Sequence, residues 1–256
     1  MLKDAQAYVK ACDRCQRFIN FIRHSSEKLT PMMAPWLFAQ WGLDIMGPFS
    51  TAVRQLKFLV VSIDYFTKWV EAEALATITE KNIRSFFWRN IICRYRIPRV
   101  LVSDNSKQFD NSAFRDFCSE LRIKNHYSLP AHPQANGQVE VTNRSLLKII
   151  KTRLEGAKGI WPDELPSVLW AYRTTARTPT RETPFRLAYG TEAVIPIEVG
   201  LTSYRVESYD EDKNKEAMRL QLDLVDEVRA TTEQRLAHYQ NLMAKHYNNK
   251  VTRRDF

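Results

Sequence analysis

Apolar and polar residues alternate along the first half of the chain in short blocks that predict a mixed α and β domain. Apolar runs of strand length come first, and helical spacing of apolar residues begins after Thr79, a suitable N-cap. The run before Asp64 is almost continuously apolar, as in a strand buried on both faces of a sheet. The predicted elements are strands Gln40–Met46, Lys57–Asp64 and Trp69–Ala74, helix Glu80–Arg96, strand Val100–Ser103, helix Ser112–Leu121 and strand Ile123–Tyr127.

The second half of the chain reads as helices joined by one irregular segment. Gln138–Leu154 and residues 161–175 are predicted helices, and Arg177–Pro196 is predicted to be rich in loops. Asp210–Asn249 has the pattern of one long amphipathic helix. In the shorter helix, the residues expected to face inward are Trp161, Leu165, Leu169 and Trp170. The long helix, a connector or a helix that packs on the core, carries near one face Leu220, Leu224, Val228, Leu236 and Leu242.

The composition indicates which partner and which cellular setting suit the chain. The chain has 256 residues, enough for one substantial core, and a net charge of +9 that favours a polyanion. The sequence contains no apolar run of the roughly 20 residues that a transmembrane helix needs, and its N-terminus does not read as a signal peptide. Its four cysteines do not suggest a secreted disulfide framework, so we expect an intracellular, reducing setting.

Three acidic residues stand in settings that suit metal-dependent chemistry. Asp44 lies within a predicted strand, Asp104 follows the strand VLVS, and Glu140 lies one turn into a predicted helix. Positions 105 to 139 separate the last two, a spacing of 35 residues. Carboxylates brought together from such elements hold hard divalent cations, and two such cations drive phosphodiester chemistry.

Other carboxylates compete for this role and are interpreted as structural. Asp64 follows an apolar run but stands where one strand turns into the next, which favours a turn or capping function. Glu71 and Glu73 alternate with apolar residues, so both are predicted to lie on a solvated strand face. Asp110 and Asp116 read as a turn residue and a helix-surface residue.

Several motifs, which run nearly from end to end, now identify a resemblance. The chain resembles the integrase of gypsy-type long-terminal-repeat retrotransposons, especially plant elements, and therefore the catalytic core of a retroviral-type integrase. The strings that carry the resemblance are CDRCQRF, WGLDIMGPF, VVSIDYFTKWVEA, VSDNSKQFDN, YSLPAHPQANGQVEVTNRSLL, WPDELPSVLWAYRTT and ETPFRLAYGTEAVIPIE.

The resemblance implies a fold, an activity and its requirements. The fold is a ribonuclease-H-like mixed five-stranded sheet with flanking helices. The activity is DNA integration, in which retrotransposon ends are processed and joined to target DNA with two Mg²⁺ or Mn²⁺ ions per site. A homo-oligomer in the nucleus and no membrane association are implied. A transposase or nuclease on the same fold, and a domesticated or decayed non-catalytic nucleic-acid-binding module, remain alternatives.

The resemblance also assigns residues. Asp44, Asp104 and Glu140 are the implied catalytic metal ligands, with Asp44 bridging both ions. His132 stands beside them as a phosphate contact or a structural residue. The family pattern has Gly where this chain has Ser106, and a positive φ there would cost on the order of 1 kcal/mol. The expected DNA contacts are Asn136, Gly137, Gln138, Asn143, Arg144, Lys148 and Lys151.

Domain organisation follows the same reading. Cys12 and Cys15 form half of a zinc site, and their two partners are expected upstream of the first residue, so zinc binding is not expected here. The predicted units are a zinc-module remnant at 1–24, a linker at 25–38, the catalytic core at 39–200 and a helical connector at 201–256. A C-terminal DNA-binding barrel is expected to be missing, so paired-end integration by this chain alone is not expected.

Overall fold

The architecture is a single mixed sheet with helices on both faces. The computed structural model describes residues 34–104, 106, 108–128, 159–193 and 210–248. Five strands lie in the spatial order β3-β2-β1-β4-β5. β1 pairs antiparallel with β2, as β2 does with β3, whereas β1, β4 and β5 run parallel. The strands are β1 Gln40–Met46, β2 Phe58–Asp64, β3 Val70–Leu75, β4 Val100–Asp104 and β5 Lys124–Ser128.

Five α-helices are described, two of them inserted between strands. They are α1 Glu80–Phe87, α2 Ser112–Glu120, α3 Trp161–Arg173, α4 Pro184–Tyr189 and α5 Glu211–Asn248. The sheet, its element order and its flanking helices match the predicted ribonuclease-H-like fold. No helix in the described part of the chain combines the length and apolarity that crossing a bilayer requires.

Two apolar clusters cover the faces of the sheet because side chains alternate along each strand. On one face, β1 and β4 pack against α1 and α2 through residues such as Leu43, Leu101 and Phe86. On the other, α3 packs on β3, and its residues Trp161 and Val168 share an apolar cluster with Leu59 of β2 and Val70 of β3. The Trp161 indole also donates to the Ser50 carbonyl at 3.0 Å, which fixes the start of α3 beside the loop that follows β1.

The helix after β3 is shorter than predicted. Thr79 is its N-cap, as expected, with its hydroxyl accepting from the Asn82 amide. The α-helix ends at Phe87, and Trp88–Ile92 form a π-helical turn in place of the predicted continuation to Arg96. The apolar spacing continues through that turn, so the sequence pattern gave no sign of the change in backbone geometry.

Two predictions about the C-terminal half held only in part. Arg177–Pro196 contains helix α4, which has Thr183 as its N-cap and left-handed Gly190 as its C-cap. In α5 the buried face contains Val225, Thr232 and Leu236, while Leu220, Leu224 and Leu242 are exposed. The buried face of α5 is the one that packs against α4, where the Arg229 guanidinium donates to the Leu187 carbonyl at 3.1 Å.

In α3 the prediction held for most positions. Trp161, Leu165 and Leu169 are buried, together with Val168, which the prediction had omitted. Trp170 is only half-buried, and its ring lies against Phe185 of α4 with the ring centroids 6.0 Å apart.

Candidate active site

Two of the predicted metal ligands meet at the carboxyl ends of neighbouring parallel strands. Leu43 of β1 pairs with Ser103 of β4, so the next step of the register sets Asp44 beside Asp104. Neighbouring strands lie about 4.8 Å apart. Asp44 shares a face with Met46, and Asp104 shares the same face with Val102; both apolar residues belong to the cluster beneath α3. The two carboxylates therefore project to one side of the sheet.

Both carboxylates are half-buried and hold short local hydrogen bonds. Asp44 Oδ1 accepts from the Ile45 amide at 2.8 Å, and Asp104 Oδ1 accepts from the Ser106 amide at 3.2 Å. The Ser106 carbonyl accepts from the Phe109 and Asp110 amides. Ser106 thus contributes its backbone to the turn that follows Asp104, and the predicted strain at this position stays a prediction.

The end of β1 is shaped by a glycine. Gly47 has φ of +129°, and a Cβ atom there would lie 2.7 Å from the Lys57 carbonyl oxygen. The Phe49 amide donates to that same carbonyl at 2.7 Å. The backbone after Asp44 therefore passes close to the segment before β2, an approach that only a residue without a side chain permits.

The remaining predicted site residues lie outside the described residues. They are Glu140, the expected DNA contacts Asn136, Gly137, Gln138, Asn143, Arg144, Lys148 and Lys151, the neighbouring His132, and the zinc-remnant cysteines Cys12 and Cys15. Within the part of the chain that is described, no group of three or more His, Cys, Asp or Glu side chains is arranged to hold a metal ion. The chemistry of Asp44 and Asp104, two oxygen donors on one face, fits part of a Mg²⁺ or Mn²⁺ site.

Asp64 has a structural function, as predicted. Its buried carboxylate accepts from the Phe38 amide at 3.0 Å and from the Thr67 amide and hydroxyl at 2.8 and 2.7 Å. Burial raises its pKa to about 6, against the lowering effect of these hydrogen bonds and of Lys68. Burial also lowers the pKa of the Lys68 ammonium to about 7, and that group donates to the Tyr65 carbonyl at 2.7 Å.

The prediction that Glu71 is solvated was wrong. Its side chain is 4% exposed and pairs with Arg94 at 3.0 Å and with Arg173 at 2.9 Å. The Trp69 indole and the Tyr95 hydroxyl also donate to it, at 2.9 and 2.5 Å. Burial raises the pKa of Tyr95, and the Glu71 charge adds to this effect. Alternation along β3 does not reveal this cluster because α3 and the segment after α1 supply its partners.

Glu73 and the two remaining competitors are closer to expectation. Glu73 is partly exposed and pairs with Arg89 at 3.0 Å. Asp110 pairs with Arg115 next to the turn that precedes α2, and Asp116 is exposed on α2. Neither lies on β1 or β4 with Asp44 and Asp104.

Residues 38–133 match the family model described as "Integrase core domain". Integrase core domains are polynucleotidyl transferases.

The more particular comparisons are with transposon polyproteins and a viral intasome. The chain is 26% identical over 204 residues to the transposon Tf2-3 and Tf2-4 polyproteins of Schizosaccharomyces pombe, a match of 77% of this chain. It spans 15% of the length of these relatives. The simian T-cell lymphotropic virus intasome, solved with the PP2A regulatory subunit B56 gamma, gives a TM-score of 0.57 at 21% identity, covering 77% of this chain and 69% of that one. This last likeness shows the shared fold.

Proposed function

We propose that this chain is the catalytic part of a retrotransposon integrase that performs DNA integration by processing 3′ ends and transferring them to target DNA. The observation that carries the proposal is the placement of Asp44 beside Asp104 on one face of the sheet. The match of residues 38–133 to integrase core domains supports the reaction class. The transposon relatives support a transposable element as the source, and the sequence motifs favour a plant-like element of the gypsy type.

In this proposal Asp44, Asp104 and Glu140 would hold two Mg²⁺ or Mn²⁺ ions. Such ions, when bound, activate the attacking hydroxyl and stabilise the leaving oxygen. The chain supplies no covalent nucleophile. Its contribution is to fix the carboxylates on a rigid sheet, where β1 and β4 are held by continuous backbone pairing from Gln40–Val100 to Leu43–Ser103.

DNA is the proposed partner, and the contacts are proposed to surround Glu140. Asn136, Gly137 and Gln138 precede this residue, and Asn143 follows it. Arg144, Lys148 and Lys151 stand 4, 8 and 11 positions after Glu140, a spacing that would place them on its side of the predicted helix. A basic stripe of this kind follows a phosphate backbone. We also propose that the working assembly is a homo-oligomer acting in the nucleus.

The proposal is tested with a branched DNA that mimics the product of strand transfer. The chain and Mn²⁺ are expected to resolve this substrate, a reaction that requires only the site and one bound phosphodiester. Asp44→Asn, Asp104→Asn and Glu140→Gln are each expected to abolish resolution. Asp116→Asn, which removes an exposed carboxylate on α2, is the matched control and keeps activity. Near-normal activity in any of the three site variants would remove that residue from the site.

A further inference from the structure

Four exposed cations lie at the end of the sheet where the parallel strands begin, opposite the end that carries the paired carboxylates. The parallel strands β1, β4 and β5 all begin at this edge, whereas Asp44 and Asp104 stand toward their carboxyl ends. We call this surface the basic edge. Its cations are Arg96 and Arg99 before β4, Arg122 before β5, and Lys124 at the first position of β5.

Backbone hydrogen bonds place Arg99 next to Lys124 where the parallel strands begin. The Arg99 amide donates to the Ala39 carbonyl at 2.9 Å, and the Lys124 amide donates to the Arg99 carbonyl at 3.0 Å. The Arg122 amide donates to the Ser119 carbonyl at 3.0 Å, and the Arg96 guanidinium donates to the Leu37 carbonyl. The basic edge is therefore built on the rigid start of the sheet.

The charges of the basic edge are not neutralised within the described residues. None of the four cations forms an ion pair with a carboxylate there, in contrast to Arg94, which pairs with Glu71, and Arg89, which pairs with Glu73. Four like charges held close together repel one another, and a polyanion relieves that repulsion.

An exposed aromatic ring completes the surface. Trp36 is 42% exposed, and the Arg96 guanidinium lies over its ring, 5.9 Å from the centroid. This cation–π contact restrains the Arg96 side chain, which belongs to the basic edge.

We propose that the basic edge binds the phosphate backbone of a DNA duplex segment other than the one held at the carboxylates. Val100 and Asp104 are the two ends of β4, so about 13 Å of strand separates the edge from the site. The cations stand at one end of the sheet and the carboxylates at the other, so a phosphate group at one does not reach the other. The choice of DNA as the polyanion rests on the proposed function.

The test uses the full chain carrying Asp44→Asn and measures the affinity for a fluorescent duplex of random sequence, without metal, across a series of NaCl concentrations. The edge variant adds Arg99→Gln, Arg122→Asn and Lys124→Gln; Asn suits position 122, whose φ is +55°. The control adds Lys213→Gln, Arg219→Gln and Lys245→Gln on α5, which removes the same net charge.

The expected result is a fall of about 2 to 3 in the logarithmic salt slope of the edge variant, since each phosphate contact contributes about 0.9. The control is expected to change by less than 1. Equal slopes in the two variants would overturn the proposal. So would an edge variant that loses binding to polyglutamate while it keeps binding to DNA, because the occupant is then an acidic polypeptide.

Folding and independence are controlled separately. Melting temperatures of the variants show whether each is folded. If a triple variant does not fold, the single variants Arg99→Gln and Lys124→Gln are measured instead, and each is expected to lower the slope by up to about 1. Resolution of branched DNA by the chain with Asp44 intact tests the proposed function. Because the binding assay contains no metal and measures no cleavage, failure of either proposal is recognised without the other.

Discussion

Arg173 Nη2 lies 2.9 Å from Glu71 Oε2 and joins α3 to β3 at the edge of the sheet. The same guanidinium donates to the Val70 carbonyl at 2.7 Å and stands 4.4 Å from the centroid of the Trp69 ring. Arg173 therefore ties α3 to the edge strand β3 through both an ion pair and a backbone hydrogen bond. The ion pair fixes the orientation of the helix.

Glu71→Gln is expected to lower the free energy of unfolding by about 3 kcal/mol, because it leaves the partly buried Arg173 charge without its partner. Glu73→Gln, two positions along the same strand, is the control and is expected to cost less than about 1 kcal/mol, since its pair with Arg89 is partly exposed. Urea denaturation of both variants provides the measurement. Equal losses would mean that the Glu71 pair adds no more than a surface pair.

Metal binding at Asp44 and Asp104 is expected to stabilise the fold. A ligand that binds only the folded state raises the melting temperature by an amount that grows with the logarithm of its concentration above Kd. Wild type is therefore expected to melt at a higher temperature with millimolar Mn²⁺ than with a chelator. Asp44→Asn is expected to lose this difference, and its metal-free melting temperature is expected to equal or exceed that of wild type because repulsion between carboxylates is relieved.

Asp116→Asn is the control for the metal experiment and is expected to behave as wild type. If Asp44→Asn showed the full metal-dependent shift, the ions would be binding elsewhere, and the carboxylate pair would have no part in holding them.

Gly190→Ala is expected to destabilise the protein by two separable effects. Gly190 has φ of +85°, which costs an alanine on the order of 1 kcal/mol. A Cβ atom would also lie 3.1 Å from Leu222 Cδ2 and 3.3 Å from Val225 Cγ2 of α5. Gly159→Ala is the matched control, since its φ is +99° and its nearest neighbour would be 3.7 Å away.

The difference between the two glycine variants, measured by thermal unfolding, reports the packing of α5 on α4. We expect Gly190→Ala to be the less stable by about 1 kcal/mol or more. Equal stabilities would indicate that Leu222 and Val225 move aside without cost.

Lys68 is expected to make stability depend on pH. Its pKa is lowered to about 7 from an ordinary value of 10.5 because of burial. Between these two values the unfolded state binds more protons than the folded state, so the free energy of unfolding contributed by Lys68 rises with pH. The stability of wild type relative to Lys68→Met is expected to increase from pH 7 to pH 9 and to be lost as the pH falls through 7.

Denaturant titrations at several pH values, performed on both proteins, measure this difference. A difference that stays constant from pH 7 to pH 9 would show that Lys68 keeps its ordinary pKa in the folded protein.

The Arg144, Lys148 and Lys151 stripe is expected to contribute to DNA binding without reading sequence. Changing all three to alanine is expected to lower the logarithmic salt slope by at most about 3, since each charge contributes up to about 1. The α5 variant Lys213→Gln, Arg219→Gln and Lys245→Gln again controls for net charge. An unchanged slope in the stripe variant would show that these residues do not contact the duplex.

The sequence by itself determined the order of strands and helices and the positions of Asp44 and Asp104. Strand length, apolar continuity and caps such as Thr79 are local properties. They depend on residues that are close in sequence, so the sequence pattern reveals them. The turn function of Asp64 was predictable for the same reason, since its acceptor bonds to Thr67 are made within three residues.

Tertiary structure alone decided which of two similar residues is buried. Glu71 and Glu73 stand in the same alternating pattern, but Glu71 meets Arg173, more than 100 positions later, whereas Glu73 meets Arg89 near the surface. The buried face of α5 likewise depends on a tertiary contact, in which Arg229 donates to the Leu187 carbonyl of α4. Asp44 and Asp104 are adjacent because of the register in which β1 pairs with β4. The sequence separation of two residues on different strands does not reveal whether they pair.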